Sequence, residues 1–276
     1  MPHDINNEFI DIDFEDDFDH QRGFIDEDPL VARSSFRVED FESYQSGRFM
    51  LPESEWKDTA GRMEDKIRSL VYTIMNQGRE GSCVGYSTTQ AVQVRMSFQF
   101  GEKYRRLLSG MSLYNRIGRS AQSGAMMSDG ARESAEDGIL PLDTSENREL
   151  YKHVYRPHGF VGERRMDREV PGWEETAGLF KPTWLRINSV DAWMSALLQC
   201  MPMMYGRSGH AICSLLPKHQ RGQWWFGYLN SWGKWGDRTN DEFGYGIGWD
   251  SISRIRRCVG YACVNVSTRP EMALAA

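Results

Sequence analysis

The chain has no apolar run approaching the roughly 20 residues that span a bilayer, so no membrane role is expected of it. Its start is acidic and lacks the basic stretch and following apolar segment of a secretory leader. A cytoplasmic setting, or one inside a larger assembly such as a virion, is expected instead. Cysteine is scarce. Cys83, Cys200, Cys213, Cys258 and Cys263 are odd in number and widely spaced, which argues against a disulfide framework and for a reducing compartment. Cys258 and Cys263 stand too isolated to be zinc ligands and read as buried thiols. No other metal-ligand spacing and no phosphate-cradling glycine loop occurs, so no metal and no cofactor are expected. The arginine pairs Arg105-Arg106, Arg164-Arg165 and Arg256-Arg257 are scattered and lack an aromatic platform, so nucleic acid is not an expected partner. His3, His20, His153, His158 and His219 have no partner pattern and read as surface residues.

Basic residues are almost absent from the first 28 positions. Eleven acidic side chains stand there against Arg22 alone, about −10, whereas the whole chain carries −6. The remainder is therefore about +4, and arm and body differ in sign. Phe9, Ile10, Ile12, Phe14, Phe18, Phe24 and Ile25 are set among the acids. Such a segment is either a solvated tail or a docking strap steered by charge, on its own body or on a partner protein.

What the chain does have is centred on Asn76 to Tyr86, which reads Asn-Gln-Gly-Arg-Glu-Gly-Ser-Cys-Val-Gly-Tyr. A glycine-bearing turn delivers Cys83 to the start of an apolar run. Val84, Ala91, Val94 and Phe98 make a helical stripe in that run, Ser82 is the expected N-cap and Gly101 the expected stop. A thiol at a helix N-terminus sits where backbone N–H groups and the macrodipole favour the thiolate, the nucleophilic form. Gln77 carries an amide that the turn can fold beside the thiol, where it and the Cys83 N–H would hold a developing oxyanion. A nucleophile needs a base and the base an orienting group. His210, in Ser-Gly-His-Ala-Ile, lies 127 residues after Cys83, and Asn230, in Asn-Ser-Trp-Gly, lies 147 after it.

Those spacings match the cysteine, histidine and asparagine order of papain-like enzymes. With Gln77-Gly78…Gly81-Ser82-Cys83, Gly209-His210-Ala211, Asn230-Ser231-Trp232-Gly233…Trp235-Gly236 and Phe243-Gly244-Tyr245-Gly246-Ile247, the chain resembles the papain-like cysteine peptidases over roughly residues 51–268. The resemblance implies an α+β fold in which a helical half-domain packs against an antiparallel β-barrel-like half-domain, with the active-site cleft between them. Residues 1–50 are then the acidic N-terminal arm, 51–180 the helical half and 181–276 the β-rich half. Leu51 to Trp56 corresponds to the family's opening strand, and the arm to a short propeptide. Residues 147–173 are polar and poorly periodic, and read as loops.

By the same resemblance Cys83 is the nucleophile, His210 the acid and base, Asn230 the orienter and Gln77 the oxyanion donor. Trp232 shields the His210–Asn230 bond, and Gly130 pairs by backbone with an extended polypeptide substrate. The family's secreted members carry a second cysteine three positions before the nucleophile, where this chain has Glu80. The segment between Pro202 and His210 is shorter than in relatives, which leaves side-chain preference open. The expected function is peptide hydrolysis through a Cys83 thioester. The alternative is a structural or interaction protein of a larger assembly, such as a viral particle, that uses the same fold as a scaffold.

Overall fold

The computed structural model describes residues 25, 38–118, 120–142, 154–156, 160–162, 171–233 and 247–267. Residues 1–24 and 26–37 of the acidic arm, the Trp235-Gly236 pair and the glycine–aromatic stretch 243–246 lie outside the described residues.

Residues 51–56 do not form the expected opening strand. They lead into helix α1 (Glu53–Leu70). Pro52 is held extended at its N-cap, and Glu53 and Glu55 set negative charge in the first turn, where the dipole favours it. Trp56, Ala60, Ile67 and Leu70 are buried at spacings of four, seven and three, which is one helical stripe. The segment before the helix, assigned above to the arm, is anchored in the body. Phe41 is fully buried, and its N–H and the Arg186 N–H exchange backbone bonds with Arg186 and Glu39.

Helix α2 (Cys83–Phe100) is the buried axis of the molecule. Every residue from Cys83 through Val94 is buried, so the apolar stripe understates its enclosure. Ser82 occupies the N-cap position, but its hydroxyl makes no capping bond, and the turn is closed by Tyr86 N–H to Ser82 O. Helices α3 (Gly110–Ile117) and α4 (Met127–Glu136) pack on α2. α3 carries a true cap, with Ser109 Oγ accepting from Ser112 N–H at 2.8 Å. The short helix α5 (Trp173–Ala177) follows.

Two strands occur inside the stretch expected to be loops. β1 (Ile74–Asn76) pairs in parallel with β3 (Phe160–Gly162), and β3 in antiparallel with β2 (Val154–Arg156). The second half is a six-stranded antiparallel sheet of order β4-β9-β5-β6-β7-β8. Its strands are β4 (Lys181–Ile187), β5 (Met203–Arg207), β6 (His210–Gln220), β7 (Gln223–Leu229), β8 (Ile247–Ser251) and β9 (Gly260–Ser267). Among the described residues β4 and β8 do not pair, so the barrel-like sheet is open between them. Helix α6 (Val190–Leu198), capped by Ser189, covers one face, and α2 covers the other. α7 (Ile252–Ile255) follows β8.

Strand alternation sorts side chains between these two faces. Met203, Tyr205 and Ile212 join the core under α6, while Met204, Ala211 and Cys213 join the core around α2. A register shift between Ser214 and Leu216 turns both Leu215 and Leu216 to the α2 side. Pro217 lies within β6. It is beyond the end of β5, where its missing N–H breaks no ladder bond on that edge.

Candidate active site

Three segments carry the residues singled out above. The first is the turn that joins β1 to α2. Asn76 Oδ1 accepts from Gly78 N–H at 2.9 Å, and Gly78 takes the left-handed conformation that this turn requires. Gln77 is 1 % exposed, and its Nε2 donates to Glu80 O at 2.7 Å. Cys83 opens α2 three residues later and is fully buried.

The second segment is the β5–β6 hairpin. Arg207 and His210 face each other across a two-residue turn, with Ser208 and Gly209 both at positive φ. That turn puts His210 at the first position of β6. The third segment is Asn230–Gly233, which leaves β7 and runs antiparallel to β1. Gln77 N–H donates to Ser231 O at 2.7 Å, Asn76 faces Trp232, and Gly233 N–H donates to Met75 O at 3.1 Å. A Cβ on Gly233 would sit 2.9 Å from Asn76 Nδ2, and its φ is +62°, so glycine is needed there on both counts. β1 is thus bonded on one edge by β3 and on the other by residues 231–233.

The zipper brings Asn230 and His210 together. Asn230 Oδ1 receives the Ser231 N–H at 2.8 Å and lies 2.7 Å from His210 Nε2. The Ser231 N–H can only donate, so Oδ1 is an acceptor and His210 Nε2 must carry the proton of its bond. In the neutral ring Nδ1 is then the basic nitrogen. Trp232 stacks on the imidazole at 4.5 Å between centroids and 26° between planes. Ser231 Oγ donates to Gln77 Oε1 at 2.5 Å, which turns the Gln77 amide nitrogen toward the Cys83 turn. Gln77, His210, Asn230 and Trp232 therefore form one buried group. Cys83 is joined to it through the Gln77–Glu80 bond and through Gln90 of α2, whose Nε2 donates to Asn230 O at 3.4 Å.

Gly130 does not belong to this group. It lies inside α4, and a Cβ there would stand 2.8 Å from Thr88 Oγ1 and 2.9 Å from Val84 Cγ1. Its missing side chain lets α4 approach α2, and its backbone is committed to the helix instead of to an extended strand. The backbone of residues 121–124 also packs against the Cys83 turn, at Gly81. Gly81 N–H donates to Ala121 O at 2.7 Å, and a Cβ on Gly81 would meet Gly124 N at 3.3 Å. From the strongly acidic part of the arm, Ile25 reaches the next residue of this segment, its N–H donating to Ala125 O at 3.1 Å. Ser231, Gln90 and the Gly124-Ala125 segment were not singled out in the sequence. Ser231 stood in plain view inside the asparagine motif.

The remaining thiols are held protonated by burial, which raises Cys200 and Cys258 to about 11, Cys263 to about 12 and Cys213 well above the usual thiol value. Beneath the hairpin lies a second buried cluster. Asp250 receives Arg207 Nη1 at 3.0 Å and the Tyr205 hydroxyl at 2.7 Å, and Arg207 also donates to the Tyr228 hydroxyl at 2.9 Å.

No family model matches the chain, and no curated protein matches it. Solved structures do. Xylellain, a cysteine protease from Xylella fastidiosa, is similar at 15% identity and TM-score 0.55 over 91% of this chain and 97% of its own. The digestive procathepsin L2 proteinase of Tenebrio molitor larval midgut is similar at 16% identity and TM-score 0.57, over 89% of this chain and 79% of its own. A procathepsin B from Trypanosoma congolense is similar at 13% identity and TM-score 0.56, over 88% and 86%. At these identities it is the backbone that is shared: the chain has the papain-like fold.

Proposed function

We propose that the chain is a papain-like thiol peptidase, held latent in the closed arrangement described above. The helix N-terminus favours the Cys83 thiolate. His210 Nδ1 takes the thiol proton, and the sulfur attacks the carbonyl carbon of a peptide bond. The oxyanion is held by the Cys83 N–H and the Gln77 amide. As the tetrahedral species collapses, the imidazolium gives its proton to the departing amine and a thioester remains on Cys83. His210 then deprotonates a water that attacks the thioester, which releases the acid and restores the thiol. Asn230 keeps the ring in plane throughout, and Trp232 covers the bond it makes. The observation that carries this reading is the 2.7 Å contact between His210 Nε2 and Asn230 Oδ1, sealed by Trp232 and joined to Gln77 through Ser231.

Latency rests on two further observations. Cys83, His210 and Asn230 are fully buried. The arm meets the body by the bond from Ile25 N–H to Ala125 O, beside the Cys83 turn. Two of the similar structures are procathepsins, in keeping with an arm that docks on its own body. The test is alkylation by a thiol-directed epoxide at mildly acidic pH, with and without residues 1–37. Under those conditions the other four thiols are protonated and slow, so Cys83 should be labelled selectively and faster in the shortened chain. A Cys83 that reacts no faster than a free thiol in either form refutes the peptidase reading. The complete burial of Cys83 also favours a second reading, a scaffold in a larger assembly without hydrolysis, and that outcome is the one it requires.

A further inference from the structure

Gln90 has no place in the chemistry described above, yet it occupies a demanding position. It lies on α2 seven residues beyond Cys83, two turns along the same face of the helix. Its side chain is 1 % exposed. Nε2 donates to Asn230 O, while Oε1 is buried and has no partner among the described residues. A buried acceptor left unpaired is costly, and an apolar side chain of similar size would avoid that cost.

The carbonyl that Gln90 holds belongs to the same planar peptide unit as the Ser231 N–H. That N–H fixes Asn230 Oδ1, and Oδ1 receives His210 Nε2. Rotation of this one peptide plane would release both ends together. Gln90 also lines a small, partly open pocket with Leu70, Thr73, Gln93 and Leu229, with room for about one water molecule. We propose that Gln90 is a positioning residue for the His210–Asn230 pair. With a buried water on Oε1, it locks the peptide unit after Asn230 against the helix that carries Cys83. The functional part of this inference rests on the peptidase reading; the structural part does not.

Two variants test it: turnover is read after residues 1–37 have been removed and Cys83 shown to be exposed, and ring-proton exchange is read in the full chain. Gln90→Leu deletes the donor. Its kcat should fall roughly three- to tenfold, the range expected for one neutral hydrogen bond, with KM little changed. The downfield proton resonance of the His210 ring N–H should exchange faster with solvent. Gln90→Glu keeps the volume, so it serves even where Gln90→Leu does not fold. The introduced carboxyl donates to Asn230 O only when protonated. Activity should therefore approach the wild type at low pH and decline through an added step as pH rises, a step absent from the wild-type profile. A diffraction map should show one water on Gln90 Oε1. Variants that keep the wild-type kcat, pH profile and ring-proton exchange overturn the proposal even if Cys83 is reactive. If wild-type Cys83 is inert the peptidase reading falls, and the ring-proton exchange alone decides whether Gln90 holds the pair.

Discussion

The crossing of α2 and α3 rests on a contact that can be tested with one methyl group. A Cβ built on Gly85 would lie 2.3 Å from Gly110 O and about 3.0 Å from Tyr114 Cβ. From the other side, a Cβ on Gly110 would lie 2.8 Å from Tyr86 Cγ. Gly85→Ala should gain about 1 kcal/mol of helix propensity, because Ala loses less backbone freedom on folding than Gly. Against this, restoring an ordinary contact requires the two helices to part by about 1 Å, since the obstructing atom is a backbone carbonyl with no rotamer to adopt. Overpacking of this kind costs ~3 kcal/mol or more when the neighbour cannot yield. The net expectation is a loss of ~2 kcal/mol, read as a lower urea midpoint at unchanged slope. Gly61→Ala is the control. It lies exposed in α1, nothing stands within 4 Å of the new methyl, and it should gain ~0.5–1 kcal/mol. Gly85 is two residues from Cys83, and a displacement of ~1 Å at a reacting group is worth about a hundredfold in rate. Turnover should therefore fall further than stability alone accounts for. Equal midpoints for Gly85→Ala and Gly61→Ala would refute the packing argument.

Asp250→Ala should destabilise the chain by ~3–5 kcal/mol in urea titration, because it leaves the Arg207 charge buried without its partner. The double replacement Arg207→Leu with Asp250→Leu should recover most of that loss. Ile25→Pro removes the N–H donated to Ala125 O and should speed Cys83 alkylation as truncation does; an unchanged rate would show that this bond does not hold the arm. Burial raises the Glu64 carboxyl, but the Arg68 hydrogen bond and the charges of Lys218 and Arg68 outweigh it and bring the net value below the ordinary one. Its contribution is therefore present above the unfolded-state value and is lost as pH falls through the lower folded value. The stability gap between wild type and Glu64→Gln should close on acidification, and a gap independent of pH would contradict that assignment.

The pairing of His210 with Asn230 was legible because both residues sit inside short motifs whose spacing reflects a fixed chain path. A serine cap is a local device decided within four residues, and it is realised at Ser109 and Ser189 but not at the expected Ser82, whose hydroxyl makes no capping bond. Helix α1 was misread although its own pattern was present. Trp56, Ala60, Ile67 and Leu70 fall on one stripe, and the resemblance of Leu51-Pro52 to an extended segment outweighed it. Gly130 was misassigned because a glycine's purpose depends on what stands opposite its missing side chain, here Val84 and Thr88 of another helix. The parallel pairing of β1 with β3 joins residues more than eighty positions apart, and nothing in either three-residue segment specifies the other. Gln90 was invisible for a related reason. On a helix buried on all sides, a carboxamide is distinguished from its neighbours only by the carbonyl it reaches.

The first turns of α1 place Trp56 and Ala60 in the core under α6, and its last turns place Ile67 and Leu70 in the core around α2. One rigid rod is thus rooted in both hydrophobic interiors. Neither interior can melt without pulling apical contacts out of the other, so the described body should come apart in one calorimetric transition with equal van't Hoff and calorimetric enthalpies.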